Sequence, residues 1–262
     1  MKSVSGARVV ITGGGSGIGA ALATRFAADG ARVVVNDINA EAAAKVAEAC
    51  GGTAVPADAA SEDGVAWLVA AATETLGGID LFCANAGVGR PGGADAPVDE
   101  QEADWELSWQ VNVMAHVRAA RHLLPGWLER GSGHLICTVS AAGLLTLLGS
   151  APYAVTKHAA LSYAEWLAAT YKHRGLTVQA LCPQGVRTPM LADSGPVGRA
   201  LLDADSITPE VAADAVAAGI ADGRFLILPH PEVAQMYANR ATDPDRWLGG
   251  MNKLQRRLEG LA

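Results

Sequence analysis

The sequence predicts a single α/β domain: a doubly wound, mostly parallel sheet of seven strands with helices on both faces. Three observations carry this. Short β-rich runs alternate with longer Ala-rich helical patterns along most of the chain, which implies right-handed crossovers and a parallel sheet. The strand runs are continuously apolar rather than alternating, as expected when both sheet faces are covered. A glycine-rich stretch lies directly between the first strand and the first helix, at the kind of strand end where open α/β sheets bind ligands.

Taken in order, Arg8–Thr12 reads as a strand and Ile18–Asp29 as a helix. Arg32–Asn36 is the second strand, followed by a helix over Ala40–Ala49. Thr53–Ala57 is a weaker third strand and Glu62–Leu76 the next helix. Ile79–Ala84 is the fourth strand, and one long helical region runs from Trp105 to Glu129. His134–Val139 is the fifth strand, Tyr153–His173 a helix and Leu176–Cys182 the sixth strand. Pro209–Ala221 is helical and Arg224–Leu228 is the seventh strand. No linker, repeat or low-complexity tract divides the chain.

Half of the 262 residues are apolar, enough for a substantial core. The formal net charge of -7 argues against nucleic-acid binding, which wants a basic face. The apolar runs are too short and too interrupted to span a bilayer, and the N-terminus lacks a signal-peptide pattern. The expectation is a cytoplasmic protein without a membrane partner. Cys50, Cys83, Cys137 and Cys182 stand singly, so neither a disulfide framework nor a metal site is indicated.

The first strand ends in Thr12-Gly13-Gly14-Gly15-Ser16-Gly17-Ile18-Gly19. Glycines there let backbone approach a pyrophosphate, and the helix that follows offers free N–H groups and the positive end of its dipole. A flexible turn is the plain alternative, but the strand–loop–helix context favours a dinucleotide site. Asp37 closes the second strand. Its carboxylate can accept hydrogen bonds from both ribose hydroxyls of an adenosine and would repel a 2′-phosphate, which favours NAD over NADP. Asp58, after the third strand, either bonds the adenine amino group or caps a helix.

Tyr153 and Lys157 are four apart on a helix and so share a face. Ser140 ends the fifth strand. These three groups meet at the same sheet edge as the nucleotide loop. Alcohol oxidation needs a base for the hydroxyl proton as hydride leaves. A free phenol, with a pKa of about 10, is a poor base at neutral pH, and a neighbouring ammonium is expected to lower it. Ser140 can hydrogen-bond the substrate oxygen, and Lys157 can also hold the nicotinamide ribose. Taken singly, each of these residues has an ordinary surface or turn explanation.

With these motifs in place, the chain resembles the short-chain dehydrogenase/reductase family in its single-domain, NAD-preferring form, over roughly Gly6 to Leu228. The glycine loop, Asp58, the triplet Asn85-Ala86-Gly87, Asn112, Ser140 and Tyr153-Ala154-Val155-Thr156-Lys157 occur in the family's order and spacing. The resemblance implies a Rossmann fold with strand order 3-2-1-4-5-6-7. It implies that Asn85, Ala86 and Gly87 line the cofactor cleft. It also implies that Asn112 is a fourth catalytic residue, holding a water that links Lys157 to solvent. After the sixth strand the family's Pro-Gly is replaced by Pro183-Gln184-Gly185. Pro183, Gly185, Val186 and Thr188 are still expected to touch the cofactor, Val186 at the carboxamide and Thr188 on the diphosphate side. Gln184 is expected to face the active site and help select substrate.

The substrate side is expected to involve Ala141–Pro152 and a flexible lid over Pro189–Ile207. Leu144, Leu145 and Leu147 either line a hydrophobic pocket or pack beneath their loop. Met190 and Leu191 are candidate substrate contacts. A small to medium apolar secondary alcohol or ketone is the expected substrate. The tail from Pro229 to Ala262 either covers an active site, in its own or a neighbouring subunit, or is a surface helix. The family commonly forms homo-oligomers, and Trp166 is either one of their contacts or buried within the subunit. A catalytically silent NAD-binding sensor is the main alternative function, but such a protein would be expected to lack Tyr153, Lys157 or Ser140. A dehalogenating relative would carry Arg at position 157 and a degraded loop, and a sugar-nucleotide epimerase would need a longer substrate domain.

Overall fold

The computed structural model describes residues 1–89 and 101–259. Its sheet has seven parallel strands in the order β3-β2-β1-β4-β5-β6-β7. The strands are β1 (Arg8–Ile11), β2 (Arg32–Val35), β3 (Thr53–Ala54), β4 (Leu81–Ala84), β5 (Gly133–Thr138), β6 (Leu176–Leu181) and β7 (Leu226–Ile227). Helices α1 (Gly17–Ala28), α2 (Ala40–Cys50), α3 (Glu62–Leu76), α4 (Glu102–Trp109), α5 (Ala115–Glu129), α6 (Ala151–Tyr171) and α9 (Pro209–Asp222) surround it. Two short helices, α7 (Pro189–Ala192) and α8 (Gly195–Leu202), follow β6. A helix pair, α10 (Glu232–Thr242) and α11 (Pro244–Glu259), closes the chain.

The continuous apolar strands face two separate cores because successive side chains point to opposite sheet faces. Val9, Ile11, Val33, Val35, Leu81, Cys83 and Ile136 pack under α1, α2 and α9, around Leu22, Phe26, Ala43 and Val216. Val10, Val34, Phe82, Leu135 and Cys137 pack under α3, α5 and α6, around Leu68, Leu123, Ala160, Ala164 and Leu167. Buried side chains of this size each contribute on the order of 1.5–3 kcal/mol. The fold thus holds its C-terminal strand ends rigid, and that edge carries the site.

Local chemistry sets the helix starts. Asn39, Ser61 and Thr208 accept hydrogen bonds from the first turns of α2, α3 and α9, satisfying N–H groups that the helix cannot. Helix α6 begins at Ala151, ahead of Tyr153, because Pro152 fits the first turn, where its missing N–H costs nothing. Most strand ends shift by a residue or two from expectation, and β3 stops three residues short, at Ala54, so Asp37 stands two residues beyond β2 rather than closing it.

One expectation needs a larger correction. The region from Trp105 to Glu129 is not one regular helix. A π-helical turn over Gln110–Met114 separates α4 from α5. The extra residue in that turn rotates everything beyond it, and such π turns often sit at functional sites.

Candidate active site

The glycine loop folds tightly between β1 and α1. Gly13 and Gly17 have φ of 61° and 51°, a conformation that disfavours any side chain. A Cβ at Gly19 would sit 2.1 Å from the Gly13 carbonyl oxygen, and one at Gly17 would sit 2.9 Å from Thr188 Cγ2. The first contact shows why the helix enters so close to the strand. The second places Thr188 against the loop, from the far side of the sheet's switch point. Ser16 is exposed and makes no side-chain cap bond at the head of α1, so that helix end presents its dipole and its hydroxyl to an anion. Asp37 faces the same loop, its Oδ2 accepting from Gly15 N at 3.0 Å. Asp58 accepts from Ala60 N at 2.8 Å in a turn ahead of α3, whose cap is Ser61 rather than Asp58.

A hydrogen-bond chain runs from this loop to α6. Asn85 Nδ2 donates to the carbonyls of Thr12, at 3.0 Å, and Gly13, at 3.3 Å. Thr12 Oγ1 accepts from Asn85 N and Ala86 N, both at 3.0 Å. Thr138 Oγ1 donates to Asn85 Oδ1 at 3.0 Å. Lys157 Nζ donates to the Thr138 carbonyl at 3.0 Å. Thr12 and Thr138 were not singled out by the sequence reading. A Thr at a strand end carries no distinguishing signal until its partner across the sheet is known.

Asn112 lies inside the π turn and is fully buried. Its Oδ1 accepts from Val88 N at 2.9 Å. Its Nδ2 donates to Val88 O at 3.0 Å and to Thr156 Oγ1 at 3.1 Å. A Cβ placed on Gly87 would lie 3.3 Å from Asn112 Oδ1 and 3.4 Å from Lys157 Nζ. These two polar atoms therefore face one small volume, kept open by the glycine.

Tyr153, Ser140 and Lys157 converge as expected. The Tyr153 hydroxyl is near enough to the Ser140 side chain for that group to act on its phenol, and Lys157 Nζ lies 5.5 Å from the centre of the Tyr153 ring. Ser140 Oγ also accepts from Ala142 N at 3.1 Å. The electrostatics differ from the sequence expectation. Burial raises the Tyr153 phenol above its ordinary value, with the Ser140 hydrogen bond pulling it partway back. Burial outweighs the pull of the nearby ammonium, whose own hydrogen bond goes to Thr138 O. Burial of Lys157 itself brings its pKa down to about 8, since a buried cation lacks hydration. The thiols of Cys137 and Cys182 are pushed up to about 12 by burial, and that of Cys83 is raised still further. All three act as small apolar side chains.

The substrate-side expectations divide. Met190 is 41 % exposed, and the Cβ position of Gly89 lies within 3.8 Å of both Met190 and the Tyr153 ring. Met190 therefore stands at the mouth beside Tyr153. Leu191 is buried and packs inward. Leu144 is corrected: it is 1 % exposed and belongs to the core under α6, so it has no surface to offer a substrate. Leu145 packs with it, while Leu147 stays partly exposed. Pro183 O accepts from Ala141 N at 2.7 Å, joining the two loops. Val186 is buried and bridges to Ile207, and Gly185 lies where any Cβ would strike Leu202 O. The Gln184 side chain turns toward α10, its Nε2 3.9 Å from Met236 Sδ, and its backbone N donates to His230 Nδ1 at 3.2 Å. Trp166 is 53 % exposed, which removes the possibility that it is buried within the subunit. The tail is a helix pair packed on its own subunit, and its last three residues lie outside those described.

Residues 7–196 match the family model for short chain dehydrogenase. The chain belongs to the short-chain dehydrogenase family. It is similar to 1-deoxy-11-beta-hydroxypentalenate dehydrogenase of Streptomyces exfoliatus, 41% identical over 191 residues, covering 70% of this chain and 68% of the relative. It is also similar to 2,5-dichloro-2,5-cyclohexadiene-1,4-diol dehydrogenase of Sphingobium indicum, 37% identical over 194 residues and covering 73% and 77% of the two chains. Among solved structures, a short chain dehydrogenase/reductase from Burkholderia phymatum in complex with NAD superposes with a TM-score of 0.84, at 27% identity, covering 94% of this chain and 96% of that one. This family member is accordingly an oxidoreductase. Among its described residues no helix is long and apolar enough to cross a membrane.

Proposed function

We propose that the protein interconverts a secondary alcohol and a ketone by hydride transfer, using NAD(H), with Tyr153 as general acid and base. The observation that carries this reading is the Tyr153–Ser140 hydroxyl pair, joined through Lys157, Thr138 and Asn85 to the glycine loop. The nicotinamide cofactor fits the chain. Side chains at Gly17 and Gly19 would fill the cradle, the head of α1 suits a pyrophosphate, and Asp37 suits an unphosphorylated ribose. A nicotinamide bound there supplies the hydride acceptor or donor.

The chain's own residues do the rest. Ser140 Oγ and Tyr153 Oη converge on one point, where a substrate oxygen receives two hydrogen bonds. In reduction, Tyr153 gives its proton to that oxygen, and burial favours the protonated phenol required. In oxidation, Tyr153 takes the hydroxyl proton, and its charge is offset by the buried ammonium of Lys157. Asn112 Oδ1 keeps one lone pair after bonding Val88 N. It faces the same space beside Gly87 as Lys157 Nζ, so a water bonded to both would supply the relay role implied by the family. The two relatives named above are called dehydrogenases of hydroxyl-bearing compounds, one a cyclohexadienediol, and this supports a compact apolar alcohol as substrate. Met190 at the mouth, and the α7–α8 segment as lid, are the proposed substrate contacts. Gln184 is proposed to act through α10.

A screen of the purified protein with NAD and NADP against secondary alcohols, diols, sterols and sugars tests this. Reduced NAD should accumulate with at least one compact secondary alcohol. Tight NAD binding with no turnover on any member would replace this reading by a non-catalytic sensor.

A further inference from the structure

The C-terminal helices make contacts that neither the fold nor the catalytic chemistry requires. The Arg240 guanidinium, on α10, donates to the carbonyl of Leu144 and lies 3.0 Å from His158 Nε2. A guanidinium can only donate, so His158 Nε2 accepts. The proton of this imidazole is then on Nδ1, which donates to Ala154 O at 2.9 Å. Leu144 closes the short turn that Ser140 opens, and Ala154 directly follows Tyr153. One side chain therefore ties together the two segments that bear the reacting hydroxyls. On the next helix, α11, Trp247 Nε1 donates to Thr146 Oγ1 at 3.0 Å, in the same loop.

The second set of contacts is apolar. Val197 and Leu201 on α8 pack with Leu254 and Leu258 on α11 and with Leu148 of the loop. This cluster is separate from both sheet cores. Helix α8 thus buries its apolar side on the tail rather than on the sheet. At the base of α10, His230 accepts from Gln184 N, and its Nε2 lies 3.3 Å from Asp205 O, so the loop after β6 is drawn into the same assembly.

We propose that α10 and α11 form an intrachain strap that fixes the size of the substrate cleft, with Arg240 and Trp247 as positioning residues for the Ser140 loop. Fixing that loop against α8 sets the distance between two walls of the cleft. It thereby favours compact ring alcohols over bulkier ones. This inference rests on the alcohol–ketone reading above.

The test compares Arg240→Ala, Arg240→Lys, Trp247→Phe and Leu258→Ala with the unaltered full-length chain. It uses kinetics on cyclohexanol and a bulkier fused-ring alcohol, together with hydrogen exchange of the loop amides. Misplacing a reacting group by an ångström costs on the order of a hundredfold, so a partial loosening should cost about tenfold. Arg240→Ala is expected to lower kcat/KM on cyclohexanol by about that factor while leaving KM for NAD within about twofold. The ratio of bulky to compact alcohol should rise. Trp247→Phe and Leu258→Ala should move it the same way by less, and Arg240→Lys should recover part of the loss. Residues 144–150 and 195–202 should exchange faster in Arg240→Ala and Leu258→Ala. Unchanged exchange there, or kinetics and size preference like those of the unaltered chain, would overturn the proposal. If the unaltered protein oxidises no alcohol, the functional reading fails, and the exchange measurement still decides whether the strap exists.

Discussion

Asp37 already spends part of its bonding capacity within its own chain. Its Oδ2 accepts from Gly15 N and its Oδ1 from Asn39 N. An ionised carboxylate offers about four acceptor sites, so one remains on each oxygen for a pair of ribose hydroxyls. Replacing Asp37 with Ala removes both the acceptors and the repulsion toward a 2′-phosphate. The expected result is a fall of about tenfold or more in the kcat/KM preference for NAD over NADP, measured with the same alcohol. An unaltered ratio would remove Asp37 from ribose recognition. This residue and the glycine loop were legible in the sequence because their signal is local: a strand, a tight turn and a helix within thirty residues. Ser140, Tyr153 and Lys157 were legible for the same reason, through a strand end and one helical turn. The direction of the Tyr153 shift was not, because it depends on burial and on where Lys157 Nζ points. Leu144 was ambiguous since an apolar residue in an apolar loop reads alike whether it faces a cleft or the core.

The elements add a pH dependence that no single motif announces. His116 in α5 is fully buried, and among the described residues neither ring nitrogen makes a well-formed hydrogen bond, the Ala84 backbone acting on it only weakly. Burial is the largest cause that brings its pKa down to about 3. Burial also lowers His134, in β5, to about 4, against a hydrogen bond to Gln179 that raises it. The unfolded chain binds protons at both positions below about pH 6.5, and the folded chain does not until pH falls to those lower values. Their stabilising contribution is thus whole above about pH 6.5 and is lost as pH drops toward 4 and then 3. Each contributes a slope of up to about 1.4 kcal/mol per pH unit in that window. Urea midpoints should fall between pH 6.5 and 5, and His116→Gln should flatten the fall. Parallel curves for the two proteins would show that His116 does not titrate in this way. The π turn around Asn112 lay beyond the sequence. One extra residue in a helical turn leaves the apolar pattern of the flanking turns intact, and the pattern was read as one continuous helix. The Arg240 and Trp247 contacts were also out of reach, since their partners lie about a hundred residues earlier and nothing local marks either side.

At the scale of the molecule, several aromatic residues lie outside the cores. Trp105 and Trp109 on α4 and Trp166 on α6 are 36%, 42% and 53% exposed, and α4 and α6 pack together. Trp166 stacks with Tyr163 at 6.1 Å between ring centres and meets Tyr171 edge-on at 5.9 Å. If a second copy of the chain, the partner that the family resemblance implies, packs here, these exposed aromatics are the side chains it would cover. Trp166→Glu should shift the sedimenting species to a smaller oligomer, whereas an unchanged sedimentation profile would exclude this face. The two-sided core followed from the alternation of elements, and the strand order from the family likeness alone. The account as a whole turns on Tyr153. Replacing it with Phe removes one hydroxyl and leaves the cradle untouched. Turnover with NAD and the best alcohol should then fall by at least about a hundredfold to ten-thousandfold, with NAD still binding within about twofold of the unaltered protein. Undiminished turnover in Tyr153→Phe would contradict the assignment of Tyr153 as the acid and base.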